Sequence, residues 1–488
     1  MKSKIILSII PMLFLTNSLK AFDLEYKLNK IEKKLNKLEK ISKEYKELKE
    51  DYLEDLDDTE ETLNKLETNT AMNSKVRFGI DFDTTYNNMS VTNANSKEYK
   101  LDNFYRSKVK LEMNSKIAKE MSFDGELAMY KNWADNTPNY SSYYDTVIGK
   151  RPTNSTMYLT RAYVNWKLPK IIDNTELVMT IGRQPSSSGS TYEYSNNRTR
   201  QGTCSAIVSD GNMDGLVLTI KTDNITGLKN SSIRLAYGKS YQYDEVNMFD
   251  NISIPTAPNI NDSNVIVIFG EAQLPDFLHT GIKNIKTQLS YIKAFDIVAD
   301  TTGQLASMTG LPENTPNVNI GDIELYSGLI MLDRIYDSKW DIFANMAFSK
   351  ATPVASFGNT IGLLSDGVDY TIKEGQAIWI GTRYNFDNGM KLGIEYNSGD
   401  KNWISFSQGS DNIYNKLAVR GDVMEIYSII PINRKSHIKI GVLSMDYKYT
   451  GSASYLGEAK LIETLPEAQK AEQIDKVLNY YISFKVHF

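Results

Sequence analysis

The sequence predicts an all-β transmembrane barrel of about sixteen antiparallel strands, with an N-terminal α-helical coiled coil ahead of it. Three observations lead there. From residue 75 onward apolar side chains recur at every second position, the spacing of strands with one greasy face. The connections between those segments alternate short and long. Finally, no stretch reaches the roughly 18 apolar residues that a spanning helix needs, although 41% of the 488 residues are hydrophobic and 30 are tyrosines. A barrel averages out as polar because half of each strand faces water, and it uses Tyr and Trp at the membrane interfaces.

Residues 1–21 have the order of a secretory signal. Lys2 and Lys4 precede the apolar run Ile5 to Leu15, and Ser18-Leu19-Lys20-Ala21 follows it. Position 22 is Phe, so cleavage at Ala21 creates no lipidated cysteine. Cys204 is the one cysteine, which excludes an intramolecular disulfide, and with no nearby histidine it reads as inert.

Residues 22–72 are a different material. From Asp23 to Thr70 there is no Gly or Pro, and Leu24, Leu28, Ile31, Leu35 and Leu38 form a 4-3-4-3 seam. After a three-residue step it resumes with Ile41, Tyr45, Leu48 and Tyr52, then runs less regularly through Leu56, Leu63 and Leu66. That repeat predicts a coiled coil with local phase shifts, and unbroken it would extend roughly 70 Å. Ten lysines against fifteen acids give the stretch a charge of −5, equal to the formal charge of the whole chain. Nothing in that balance suggests a nucleic-acid partner.

Residues 73–488 form the predicted barrel. Val76, Phe78, Ile80, Phe82 and Tyr86 share one face of the first strand, Arg77, Asp81 and Asp83 the other. The next segments are 103–115, 119–131, 156–168, 174–184, 213–222, 231–240, 263–274, 283–297, 320–333, 338–350, 374–386, 389–399, 418–430, 437–449 and 476–488. Eighteen strands would result if a long loop such as 241–262 or 351–373 hid a hairpin. The first connection takes fifteen residues, the second three, and long and short then alternate to the end. Short periplasmic turns and long outer loops have this pattern, which puts both barrel ends and the coiled coil in the periplasm. The last strand alternates strictly: Tyr480, Ile482, Phe484, Val486 and Phe488 point one way, Tyr481, Ser483, Lys485 and His487 the other. Such a strand, stopping on an aromatic, resembles the signal that the barrel-assembly machinery reads. The expectation throughout is that one set of side chains meets lipid and the other meets water inside a closed tube.

The longest excursion is 185–212, entered through Thr180-Ile181-Gly182-Arg183-Gln184. Here the chain resembles the general porins, trimeric sixteen-stranded barrels in which a third loop folds inward and narrows the pore. A second resemblance is carried by Gly393-Ile394-Glu395-Tyr396-Asn397-Ser398-Gly399 with Trp403, by Arg420-Gly421 with Glu425 and Tyr427, and by Tyr449-Thr450-Gly451-Ser452. These look like an uncharacterised porin family of epsilon-class proteobacteria.

Wide pores select by diameter and lining charge. By parity Arg77, Arg106, Lys108, Lys110 and Arg161 face the lumen, and the porin resemblance implies that such a basic wall looks across at acids on the folded-in loop. Loop 185–212 offers Glu193 and Asp210, with Asp214 just beyond, but also Arg198 and Arg200. Arg183 shares the membrane-facing parity of Leu177, Met179 and Ile181, so it reaches the pore only if the strand bulges or ends at Gly182; a rim or subunit interface is the alternative. Lumen acids such as Asp124, Glu126, Asp341 and Glu395 roughly balance the bases, which leaves charge preference open. The bland reading of all these charges is ordinary wetted lumen wall.

No catalytic pairing is expected: His279 falls in a turn, His437 opens a strand and His487 is penultimate. No metal-ligand spacing and no cofactor signature is present. The predicted function is passive diffusion of ions and small hydrophilic solutes through a homotrimer in outer-membrane lipid. The competing reading is a structural or adhesive protein whose residues 23–70 brace the envelope against peptidoglycan or a periplasmic partner.

Overall fold

A computed structural model describes residues 33–37, 39–40, 42–43, 76–133, 157–169, 175–184, 188–241, 262–275, 284–299, 318–355, 362–407 and 414–488. The chain divides into two units, Met1–Lys75 and Val76–Phe488. In the first, 33–37, 39–40 and 42–43 are helical; the signal and nearly all of the expected coiled-coil seam lie outside the described residues.

The second unit is a closed antiparallel barrel of sixteen strands in chain order. They are β1 (Arg77–Asn93), β2 (Glu98–Ala118), β3 (Met121–Asn132), β4 (Met157–Lys167), β5 (Leu177–Gln184), β6 (Met213–Lys221), β7 (Lys229–Tyr241) and β8 (Ser263–Leu274). The second half comprises β9 (Ile285–Ala299), β10 (Val318–Leu332), β11 (Trp340–Pro353), β12 (Lys373–Asn385), β13 (Lys391–Gly399), β14 (Gly421–Asn433), β15 (Ser436–Tyr447) and β16 (Ile474–His487). Closure joins β1 to β16, with Tyr86 opposite Ile482. It finishes on the last residue, where Ile80 N donates to Phe488 O at 2.8 Å and Phe488 N to Ile80 O at 3.1 Å. The wall thus closes on itself, and neither β1 nor β16 is left as an edge strand.

Alternation sorts the side chains. On β16, Leu478, Tyr480, Ile482 and Phe484 are exposed while Val477, Asn479, Tyr481 and Ser483 are buried. The same outward set continues around the wall through Ile440, Met424, Ile426, Ile394, Ile378, Ile380, Met346, Ile330 and Leu289. Aromatic rings gather near strand ends, as where Trp340 meets Tyr384 at 4.9 Å and Tyr384 meets Phe386 at 4.8 Å.

The first connection departs from expectation. β1 and β2 run on to Asn93 and Glu98, so only residues 94–97 join them and the fifteen-residue outer loop becomes a projecting hairpin. At its tip the apolar residues change sides: Met89, opposite Leu101, and Val91, opposite Tyr99, continue the inward parity of Asn87, while Asn88, Ser90 and Thr92 take the outward positions, so the pattern that marks a lipid-facing strand is lost while backbone pairing continues.

A larger correction concerns the lumen, which is not wet all round. The inward faces of β8 to β12 carry Val265, Val267, Phe269, Ile292, Ala294, Leu325, Leu329, Met331, Phe343, Ala347 and Trp379, all buried. Several long connections cover them, Leu363 and Leu364 after β11 among them. Tyr192, Tyr194, Ile207 and Val208 come from the connection after β5, and Trp403, Ile404 and Leu417 from the one after β13. The barrel therefore encloses a true apolar core on one side. Burying those rings and aliphatic chains, each worth roughly 1.5–3 kcal/mol, holds these segments inside.

Candidate functional site

Residues 188–212 lie as a strap inside the tube, tied to opposite walls. Its short helix Tyr192–Asn196 ends at Asn197 with φ 52°, ψ 42°, a left-handed turn that asparagine tolerates and that redirects the chain. Arg198, just beyond, donates to Asp81 of β1 and Glu112 of β2. Two residues on, Arg200 reaches Glu271 of β8 at 2.7 Å. Between these ends Gln288 Nε2 donates to Ser190 Oγ at 2.9 Å, and Arg383 Nη1 to the Tyr194 carbonyl at 3.0 Å with its guanidinium 4.5 Å from that ring. Asn345 donates to Ser205. The strap also pairs with the segment after β13: Phe406 N to Val208 O at 3.0 Å and Asp210 N to Phe406 O at 2.7 Å.

That second segment is fixed by two buried cations. Lys416 lies 1% exposed between Glu395 (2.7 Å) and Glu425, with Tyr192 and Trp379 rings 5.6 and 5.5 Å away. Burial opposes its charge, but the two carboxylates outweigh burial and hold its pKa above the ordinary lysine value. Lys439 and Tyr481 complete the cluster by donating to Glu425. Gly393 and Gly441 make room for it, because a Cβ at either would lie 2.2 or 2.3 Å from the Tyr427 or Tyr481 ring system. Arg420 is fully buried; its guanidinium donates to the carbonyls of Trp403 (2.9 Å), Thr450 (3.0 Å) and Ser454 (2.7 Å), which ties the connections after β13 and β15 together. Burial pulls its pKa down to about 10, still charged at neutral pH.

A polar cavity of about 490 Å³ remains between the strap and the wall formed by β14 to β16, β1 and β2. Arg106, Lys108, Lys110, Glu193, Arg198 and Asp210 line it, together with Asp81, Asp83, Lys416, Glu425, Arg434, Lys435, Lys439 and Lys485. Nine lysines and arginines thus stand against five carboxylates, a formal surplus of four positive charges. Above it Met89, Val419, Val423, Leu443, Met445 and Val477 pack into a small apolar cluster.

The expected site residues divide accordingly. Arg106, Lys108, Lys110, Glu193, Arg198 and Asp210 share the cavity. Arg161 sits behind it, bonded to Glu126 and 3.6 Å from Glu112, while Lys110 meets Glu126 at 3.3 Å. Arg77 opens β1 opposite Asn114 and is exposed. Arg200 serves the far wall. Arg183 and Asp214 are not brought to the lumen: Gly182, at φ 123°, pairs with Gly215 and Arg183 with Asp214 without a shift in register, so no bulge reverses the parity. They form a 3.5 Å pair on the outward side of Ile181 and Leu216.

Bases on the wall and acids on the loop was the expected polarity; at Arg198 it is inverted. Asp210 turns into its own loop and accepts Ser188 N–H at 2.7 Å. Glu193 is held above the ordinary glutamate pKa by burial, against Arg200 and Lys286, and its Oε2 has no partner among the described residues. Of the wall acids, Asp124 accepts from Asn165 at 3.0 Å, and Asp341 takes Arg383 at 2.7 Å. Parity on β14 and β15 could have shown Glu425 and Lys439. No periodic signal announces Lys416, since it sits in a loop. His437 and His487 line the cavity's end near the strand turns, and His279 lies outside the described residues.

The family described as "Protein of unknown function (DUF3373)" matches residues 98–488. No curated protein matches. Among solved structures, OmpF of Salmonella typhi in complex with daunomycin is 12% identical, covering 85% of this chain and 98% of its own, with a TM-score of 0.44. OprB of Pseudomonas putida is 10% identical over 86% and 96%, at 0.46. OmpT, an outer membrane protein of Vibrio cholerae, is 11% identical over 85% and 97%, at 0.43.

Proposed function

We propose that this chain, which belongs to the family described as "Protein of unknown function (DUF3373)", is an outer-membrane porin through which small hydrophilic anions diffuse passively. The observation that carries the reading is a closed sixteen-strand barrel, apolar outside, whose interior holds a charged polar compartment beside an inward strap. No bond making is involved. Solutes are screened by the width left beside residues 188–212 and by the lining charge, where Arg106 and Lys108 favour anions and Lys110 is paired with Glu126. The apolar face of β8 to β12 confines passage to the β14–β2 side, so this pore is narrower than sixteen strands alone would suggest.

The proposed assembly is a homotrimer inserted by the barrel-assembly machinery, with Tyr480, Ile482, Phe484, Val486 and Phe488 as its signal. Residues 22–72 are assigned to the periplasm as a coiled coil that engages peptidoglycan or a periplasmic partner. The competing role is structural, and the buried cores favour it to this extent: a filled barrel can serve as an anchor. Bilayer recording of the purified, unheated oligomer under a salt gradient separates the two. Stepwise current with an anion-side reversal potential supports the porin; absence of any current refutes it.

A further inference from the structure

A second cavity, also about 490 Å³, lies on the other side of the strap and shares no lining residue with the polar one. Its walls are the inward side chains of β6 to β9, among them Val265, Val267, Phe269, Ile292 and Ala294. These side chains border the core that holds the strap, and the cavity leaves part of that apolar surface without protein packed against it. Among the lining residues the one charged group is Arg234. Its Nη2 meets Glu271 at 2.8 Å, yet Arg200 meets the same carboxylate at 2.7 Å, so two guanidiniums share one acid. The Arg234 plane rests 5.2 Å from the Phe269 ring. Its Nη1 is buried and has no hydrogen-bond partner among the described residues. A buried cationic donor left without an acceptor is costly, and an anion placed there would satisfy it.

We infer that this cavity binds an amphipathic monoanion, a carboxylate bearing a short apolar chain, with the carboxylate on Arg234 and the chain along Val265, Val267 and Ile292. The volume falls within the roughly 300–1,000 Å³ of small-molecule sites, and apolar walls with one convergent polar group are their usual make-up. A bare inorganic anion would leave the walls unused, and an amphipathic amine would meet the wrong charge. The polar cavity can conduct or not without affecting this site.

The test is equilibrium binding of radiolabelled octanoate to the purified oligomer in nanodiscs. Octylammonium serves as the control for partition into lipid, and acetate for the head group alone. Octanoate should bind saturably and at least tenfold more tightly than either. Arg234→Gln should weaken octanoate about tenfold or more, the loss of one charge-assisted hydrogen bond, while bilayer conductance stays as in the parent. Equal binding of octanoate and octylammonium, or unchanged octanoate affinity in Arg234→Gln, overturns the assignment.

Discussion

Replacing Lys416 by Met probes what keeps the lumen divided. Lys416 is 1% exposed and bridges Glu395 and Glu425 from a loop that carries Trp403, Ile404 and Leu417 into the core. Glu425 would keep Lys439 and Tyr481. Glu395 would keep the Trp379 indole at 3.3 Å and the neighbouring Tyr427 hydroxyl, but no cation. Breaking one side of a buried ion pair costs ~3–5 kcal/mol, and the survival of half the network places this case near 3. At about 1.4 kcal/mol per decade, the docked-to-undocked ratio of the loop falls roughly a hundredfold. Single-channel records should then show far more frequent excursions to a larger conductance, and the heat-modification midpoint should drop. Adding Glu395→Gln removes the stranded charge and should restore much of both. If Lys416→Met gates and melts like the parent, or the double variant is no better than the single, the buried pair does not hold the loop and the reasoning fails.

Other perturbations test neighbouring parts. Arg198→Gln unties the strap from Asp81 and Glu112, so conductance should rise; an unchanged value would mean that the strap is held without this tie. Arg106→Gln with Lys108→Gln leaves seven bases against five acids in the cavity lining, and the reversal potential should move toward cations by measurement in a salt gradient. For Glu193, whose folded pKa is raised, ionisation costs the fold: the penalty is absent below the unfolded value of 4.5 and full once pH exceeds the folded one. Glu193→Gln should therefore raise the melting midpoint at pH 8 and leave it nearly unchanged at pH 4. Deleting Phe488 removes both backbone bonds to Ile80 at the closing seam, and pulse-chase of the folded, heat-modifiable band should show slowed assembly.

The wall of the barrel was legible in the sequence because lipid imposes a rule on every second residue. β8 coincides with the 263–274 segment read by alternation, and β13 and β16 differ from theirs by two residues or fewer at each end. Where lipid stops, the rule stops, which is why the tip joining β1 and β2 read as loop. Direction followed from the same parity: it placed Arg106, Lys108 and Lys110 inward and marked Arg183 as out of step. What parity cannot give is what lies opposite an inward side chain. Val265-Ile266-Val267-Ile268-Phe269 is apolar on both faces, which marks a strand buried on both sides, and that run carried the clue to the filled half. Lys416 and Arg420 had no such clue, since a loop residue's partners are set by tertiary packing alone.

The uneven lumen has a consequence for how selectivity is built. In a uniformly wet tube, a loop arginine such as Arg198 would be one screened charge among many. Here the strap is pressed against β8 to β12 by buried rings, and its ends are tied at Asp81, Glu112 and Glu271. Its position is thus held by packing energy that does not depend on salt, together with half-buried ion pairs that salt screens only weakly, while the charges it presents to the remaining passage are fully exposed to screening. Conductance should then be set by the apolar side of the barrel and ion preference by the polar side, and raising ionic strength should weaken the second while leaving the size limit unchanged. That separation needs both halves: without the core the strap would move with its ion pairs, and without the basic lining the fixed gap would not distinguish the sign of a solute.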